Sequence, residues 1–186
     1  MTNMDLRQKA WRFAVTRHQG QVYPTTDLPY TFHIGAVLIE LSGGLGSGAD
    51  RDLAMACACL HDILEDTPTR YDEIAEKFGL SVADGVLALT KNRDMHSRAG
   101  RLRDSIERIR QQPRAVWAVK LADRIANLEA LPKVWTRWRC MHYVASSRLI
   151  LRELGGASSF LAQRLAGKIR MWESAVNKQA RETESR

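Results

Sequence analysis

Asp52-Leu53-Ala54-Met55-Ala56-Cys57-Ala58-Cys59-Leu60-His61-Asp62-Ile63-Leu64 is apolar over most of its length and then carries a His-Asp pair, followed by Glu65 and Asp66. An apolar run of helical length predicts an interior helix from about Asp52 to Leu64. Four ionisable groups at the end of such a helix need an explanation, because a buried charge is costly unless it is paired or bound to a metal. Helical spacing would put His61 and Glu65 on one face, with Asp62 and Asp66 beside them.

The same periodicity extends in both directions. Leu6, Ala10, Phe13, Ala14 and Arg17 form a stripe that predicts a first helix over Asp5 to His18. Gly20 to Tyr30, with Pro24, Asp27 and Pro29, reads as a loop. A second helix is predicted over Thr31 to Leu41, followed by a flexible connection through Gly43, Gly44, Gly46 and Gly48. Tyr71 to Phe78 is a short helix stopped by Gly79, and Ser81 is the expected cap of another that reaches Thr90. Asn92 to Gly100 reads as a loop and Arg101 to Gln111 as a charged amphipathic helix. Pro113 suits the first turn of a helix running to Leu131, which Pro132 ends. Arg139 to Leu154 and Ser158 to Val176 complete the set. No strand pair or repeat is evident. The expectation is an all-α single domain of roughly eight to ten helices, spanning residues 1–177, with 178–186 as a frayed tail.

Composition agrees. The 186 residues are 45% hydrophobic and 26% charged, which excludes a disordered chain, a collagen-like repeat and a disulfide scaffold. No apolar run approaches the roughly 20 residues that a bilayer crossing needs, and Met1 to Lys9 lacks the apolar core of a secretory signal. Cys57, Cys59 and Cys140 are too few for a disulfide framework, and a reducing cytoplasm is the expected location. The net charge of +7 is unevenly placed. Residues 1–93 carry 9 basic and 12 acidic side chains, and residues 94–186 carry 19 and 9. That asymmetry points to an anionic partner or to a solvated basic surface.

Two further groups of residues carry chemistry. Lys120, Asp123, Arg124 and Asn127 are spaced i, i+3, i+4 and i+7, so one helical face holds a carboxylate, two cations and an amide. His33 opens the second helix after Pro29-Tyr30. His33, His61, Asp62 and Asp123 together supply two imidazoles and two carboxylates. That set would hold one divalent transition metal, with Mn, Fe and Zn all acceptable, and leave positions for water and substrate. Glu65 and Asp66 are placed to orient or deprotonate such a water. Local ion pairs and a solvated helix end are the structural alternatives for both clusters. His18, His96 and His142 have no partner pattern and are read as structural or exposed.

The order His33, then His61-Asp62, then Asp123 resembles the HD superfamily of metal-dependent phosphohydrolases. Gly20-Gln21, Pro29-Tyr30, His61-Asp62-Ile63-Leu64-Glu65-Asp66-Thr67, Phe78-Gly79, Leu89-Thr90-Lys91 and Lys120-Leu121-Ala122-Asp123-Arg124 with Asn127 are similar to the hydrolase domain of RelA/SpoT proteins, at the size of its stand-alone members. The resemblance covers about residues 5–155. It implies an all-α fold that hydrolyses guanosine 3′-pyrophosphates such as ppGpp and releases pyrophosphate, with Mn²⁺ as the usual ion. It further implies His33, His61, Asp62 and Asp123 as ligands, Glu65 and Asp66 as activators of water, and Lys120, Arg124 and Asn127 near the nucleotide.

Two positions depart from the family pattern. Tyr23-Pro24 stands where an Arg-Lys pair is common, so that Tyr23 becomes the candidate for stacking on the base. Ala126 stands where a His is common. An adenosine analogue, ppApp or pppApp, is therefore an alternative substrate. The other readings are a phosphohydrolase of another nucleotide or phosphoester, and a nucleotide- or nucleic-acid-binding regulator with a vestigial site. Arg98, Arg101, Arg103, Arg108, Arg110 and Arg114 motivate the last. A small-molecule nucleotide is the expected partner, nucleic acid and membrane are not expected, and oligomeric state is open.

Overall fold

A computed structural model describes residues 5–46, 49–132 and 134–184. In chain order these form α1 (Leu6–Arg17), α2 (Thr31–Gly44), α3 (Ala49–Leu60), α4 (Ile63–Asp66), α5 (Tyr71–Phe78), α6 (Leu80–Leu89), α7 (Arg98–Arg110), α8 (Arg114–Asn127), α9 (Arg137–Leu154), a 3-10 turn at Gly155–Ala157, and α10 (Ser159–Glu184). The expected all-α class is what the structure shows. The one β-type pairing among the described residues is an isolated bridge between Val22 and Pro29. No described helix is long and apolar enough to cross a membrane.

The core is organised around α8. Val116, Val119, Leu121 and Ile125 are completely buried, and α2, α3, α9 and α10 pack around them. An amphipathic helix buries one stripe, but α8 is buried on almost every side, so Lys120, Asp123 and Arg124 are carried into the interior with it. From α3, Ala54, Ala56, Ala58 and Leu60 enter the same core. Cys57 and Cys59 join them as buried free thiols, pushed up to about 12 by burial, which suits small apolar packing groups and not nucleophiles.

Several boundaries differ from those predicted. The helix expected to run through Leu64 stops at Leu60, and His61-Asp62 form a turn before α4. The His61 imidazole takes the Ala58 carbonyl at 2.8 Å, a side-chain bond that competes with the helical ladder. Gly43 and Gly44 are not a flexible connection but the end of α2. A Cβ at Gly43 would lie 2.8 Å from the Phe160 ring, and one at Gly44 would lie 2.6 Å from Leu161, so these glycines let α10 approach. Gly48 lies outside the described residues. Gly79 (φ +88°) precedes α6 directly, which places Ser81 inside that helix and not at its cap. Ser97 caps α7 three residues earlier than expected, through the Gly100 amide. Helix α8 ends at Asn127, short of Leu131, where the freed Leu128 carbonyl accepts the Trp172 indole N–H at 3.0 Å. Helix α10 continues to Glu184, through the segment from Lys178 expected to fray.

The arginines of the basic half are largely engaged with the protein itself. Arg108 donates to the Leu87, Ala88 and Thr90 carbonyls at the end of α6 and pairs with Asp104. Arg101 donates to the Met95 carbonyl, Arg110 pairs with Glu153, and Arg114 donates to the Gly156 carbonyl. Basic side chains near helix ends satisfy carbonyls that have no partner in the helix itself.

Candidate metal centre

Three stretches of chain bring the candidate ligands to one point. His33 lies in the first turn of α2, His61 and Asp62 form the turn after α3, and Asp123 sits on α8. The two imidazole Nε2 atoms face each other at 3.2 Å. Asp62 Oδ2 is 2.9 Å from His61 Nε2 and 3.7 Å from His33 Nε2. Asp123 Oδ1 is 3.5 Å from His33 Nε2 and 3.9 Å from His61 Nε2. His33, His61 and Asp62 each offer a ligand atom within 4.8 Å of the others. Asp123 reaches both imidazoles but stands outside that triad.

The donor chemistry fits a divalent ion. With its Nδ1 turned to the Ala58 carbonyl, His61 aims Nε2 at the Asp62 carboxylate and at His33 Nε2, a cluster of electron-pair donors that either a shared proton or a divalent cation can hold together. Nitrogen and oxygen ligands bind such ions at about 2.0–2.2 Å, which the spacing of these atoms accommodates. His61 is oriented by its Nδ1 contact to the Ala58 carbonyl, the usual way a protein aims the other nitrogen inward. With no ion, burial disfavours a charged His61, but the Asp62 carboxylate beside it outweighs burial and raises the imidazole to about 9. Burial also pushes up Asp62 and Asp123. For Asp62 the His61 ring reverses this, and for Asp123 the Lys120 ammonium does so first, so both carboxyls lie below the usual range.

A ring of polar contacts holds these side chains. Tyr30 donates to Asp62 Oδ2 at 2.5 Å. Lys120 donates to Asp123 Oδ2 at 3.0 Å, and the Asn127 amide donates to Asp123 Oδ1. Tyr23 arrives on a tight loop closed by its own amide to the Leu28 carbonyl and by Tyr30 N–H to the Gln21 carbonyl. Its ring stacks on His33 (centroids 5.2 Å apart, 4° between planes) and its hydroxyl meets Asn127 Oδ1 at 3.3 Å. Burial pushes the Tyr23 phenol up to about 12, which keeps it neutral.

Glu65 and Asp66 occupy α4, one turn past the His-Asp pair, and their settings diverge. Both Glu65 carboxylate oxygens are engaged by Lys91, one by its backbone N–H and one by its ammonium, each at 2.7 Å. Burial opposes charge on Lys91, but Glu65 more than compensates and raises it. Asp66 is exposed, and burial of its carboxyl together with the Asp62 charge lifts it above the usual range. Arg124 goes elsewhere. Its guanidinium donates to Ser146 at 2.9 Å and Ser147 at 3.3 Å and lies 4.2 Å over the Tyr143 ring. The i, i+4 count from Lys120 placed it on the ion-facing stripe, but it sits about 100° round the helix from Asp123 and faces α9.

Three supporting residues were assigned no role at the site from the sequence. His18, read as structural or exposed, is 2% exposed and stacks on Tyr30 at 4.6 Å. The Gln21 amide accepts from His18 Nδ1 at 2.7 Å and donates to the Asp66 carbonyl at 2.6 Å. Gln21 therefore fixes the His18 tautomer and ties α4 to the Tyr23 loop. Tyr30, between His18 and Asp62, completes the brace. The signal available in sequence was the short distance from His18 through Gln21 to Tyr30 and His33. Tyr30→Phe is expected to weaken ion binding about 10–100-fold, read by titration with Mn²⁺, while the circular dichroism spectrum stays that of wild type.

Comparison with known proteins identifies the family. The HD domain family model matches residues 10–155. A guanosine-3′,5′-bis(diphosphate) 3′-pyrophosphohydrolase of Aquifex aeolicus is 36% identical over 127 residues, which are 67% of this chain and 17% of that protein. The MESH1 guanosine-3′,5′-bis(diphosphate) 3′-pyrophosphohydrolase of Danio rerio is 30% identical over 158 residues, 82% of this chain and 86% of that one. The chain thus spans under a fifth of the bacterial relative and most of the vertebrate one. The solved structure of a metazoan ortholog of SpoT, described as hydrolysing ppGpp, superposes with a TM-score of 0.78 at 23% identity, covering 92% of this chain and 97% of that one. At that identity the likeness is one of fold. Family model and relatives together place this chain in the HD domain family, in its RelA/SpoT hydrolase-domain type.

Proposed function

We propose that the protein is a metal-dependent hydrolase of the 3′-pyrophosphate of a guanosine alarmone such as ppGpp, with Mn²⁺ as its working ion. The observation that carries this reading is the convergence of His33, His61, Asp62 and Asp123 on one point, with Glu65 and Asp66 on the next turn. The ion held there would polarise a phosphoryl oxygen and lower the pKa of a bound water.

The other steps belong to the chain. Asp66, exposed and held above the ordinary carboxyl range, suits accepting the proton of the attacking water. Glu65 suits holding Lys91, so that its ammonium can face the leaving pyrophosphate. Lys120 and Asn127 orient Asp123. Water oxygen bonds to the phosphorus attached to the ribose 3′ oxygen, that phosphorus–oxygen bond breaks, and the 3′ oxygen takes a proton as pyrophosphate departs. Tyr23 covers His33 with one ring face, so its contact with substrate is through the other face or the hydroxyl. Arg124 acts as part of the wall, through α9.

The test is a substrate panel. Purified protein with Mn²⁺ is incubated with ppGpp, pppGpp, ppApp or pppApp, and pyrophosphate is measured beside the bound metal. Release of pyrophosphate from the guanosine compounds is expected. No release from any of them with metal bound would overturn the reading. Orthophosphate as product would favour a different phosphoester, and preference for the adenosine pair would move the base assignment.

Ion binding should also depend on pH. The metal-free His61 is raised above its ordinary value of 6.5 to about 9, so below pH 9 a proton must leave before the nitrogen can coordinate. Affinity for Mn²⁺ is therefore expected to rise from pH 6 to pH 9, with proton release visible as a buffer-dependent binding enthalpy. A pH-independent affinity would show that His61 Nε2 is not a ligand.

A further inference from the structure

Helices α1 and α5 enclose an open groove of about 710 Å³, away from the ion ligands. Its floor is aromatic. Phe13 of α1 and Phe78 of α5, both half-buried, meet edge to face with centroids 5.4 Å apart. Its rim is cationic. Lys9 and Arg12 from α1 and Lys77 from α5 line it, all exposed, and none of the three has a carboxylate partner among the described residues. At one end Arg17 lies 4.9 Å over the Phe13 ring and pairs with Glu73, the one carboxylate of the lining.

The concentration of charge is unusual for this part of the chain. Residues 1–93 hold 9 basic side chains and a net negative charge, yet four of the nine line this groove. The α1 members recur at i, i+3, i+4 and i+8, one face of the helix. Unpaired like charges around an apolar floor are unfavourable by themselves and become favourable with a bound anion. The edge-to-face Phe13–Phe78 pair adds an apolar contact for a base, and the volume falls within the range of small-molecule sites.

We propose that the α1–α5 groove is a second nucleotide site, which takes a nucleoside diphosphate or triphosphate with its base against Phe13 and Phe78 and its phosphates among Lys9, Arg12 and Lys77. It contains no imidazole and a single, already paired carboxylate, so it binds without hydrolysing. The proposal does not rest on the alarmone reading, because its test uses no 3′-pyrophosphate and no turnover.

The experiment is equilibrium binding of methylanthraniloyl-GDP and methylanthraniloyl-ADP to the full chain in EDTA. Saturable binding of both is expected, weakening at least tenfold between 50 and 200 mM salt. Arg12→Glu/Lys77→Glu should weaken it at least tenfold with an unchanged melting profile, and Lys9→Glu should act in the same direction. Asp62→Ala/Asp123→Ala should leave it intact. Equal binding by the rim variants, loss in the Asp62→Ala/Asp123→Ala protein, or no saturable signal would each overturn the proposal. Inorganic pyrophosphate competing as well as GDP would overturn the part assigned to the aromatic floor.

Discussion

Asp62→Ala, alone or with His61→Ala, is expected to abolish binding of a divalent ion and to lower the proposed alarmone hydrolysis about a thousandfold or more. Asp62 is the carboxylate nearest His61, at 2.9 Å, and it also accepts from Tyr30. Its loss leaves the two imidazoles facing each other with only Asp123 to balance a cation. Ion catalysis supplies several kcal/mol of transition-state stabilisation, and about 4 kcal/mol is about a thousandfold in rate. Asp62→Asn separates charge from shape, since it keeps an oxygen toward Tyr30 but loses the negative charge, and it should fail almost as badly. Metal content by mass spectrometry and pyrophosphate release are read on the same samples. An Asp62→Ala protein that keeps stoichiometric metal and wild-type turnover would show that the ion lies elsewhere.

The second large effect is on stability. Trp172→Ala should cost about 3–5 kcal/mol, as other large-to-small aromatic core changes do, and lower the melting temperature by roughly 6–20 °C. Trp172 on α10 is 3% exposed and packs against Trp135 and Tyr143. Its indole N–H is also the partner of the Leu128 carbonyl just past the end of α8. Alanine opens a cavity and leaves that carbonyl unsatisfied. Trp172→Phe keeps most of the packing and loses only the hydrogen bond, worth about 1 kcal/mol, so the two variants separate the contributions by thermal melting.

Much of the candidate site was legible because its residues are close in sequence or share a helical stripe. His61, Asp62, Glu65 and Asp66 fall within six positions, and Lys120, Asp123 and Asn127 keep the side of α8 that periodicity assigns them. What could not be read depends on contacts between distant segments. Arg124 fits the same stripe on paper but is drawn to Ser146 and Ser147, which only the packing of α9 reveals. Glu65 is held by Lys91, 26 positions away. Gly43 and Gly44 look like a hinge until α10 is seen lying on them. The break at His61-Asp62 is a side-chain competition inside an otherwise uniform apolar run, and no period reports it. The helical class itself was the safest inference, since nearly every long segment carries the same apolar spacing.

Arg108 has a consequence beyond holding α6 to α7. One of its nitrogens fastens the Thr90 carbonyl, and the next residue, Lys91, reaches Glu65 through both its backbone and its ammonium. The guanidinium thus serves as a remote anchor for the Lys91 ammonium where it meets Glu65. Lysine at position 108 would preserve the charge yet lack the forked geometry, letting the 90–91 backbone drift. Turnover would then respond to a residue that never meets the nucleotide.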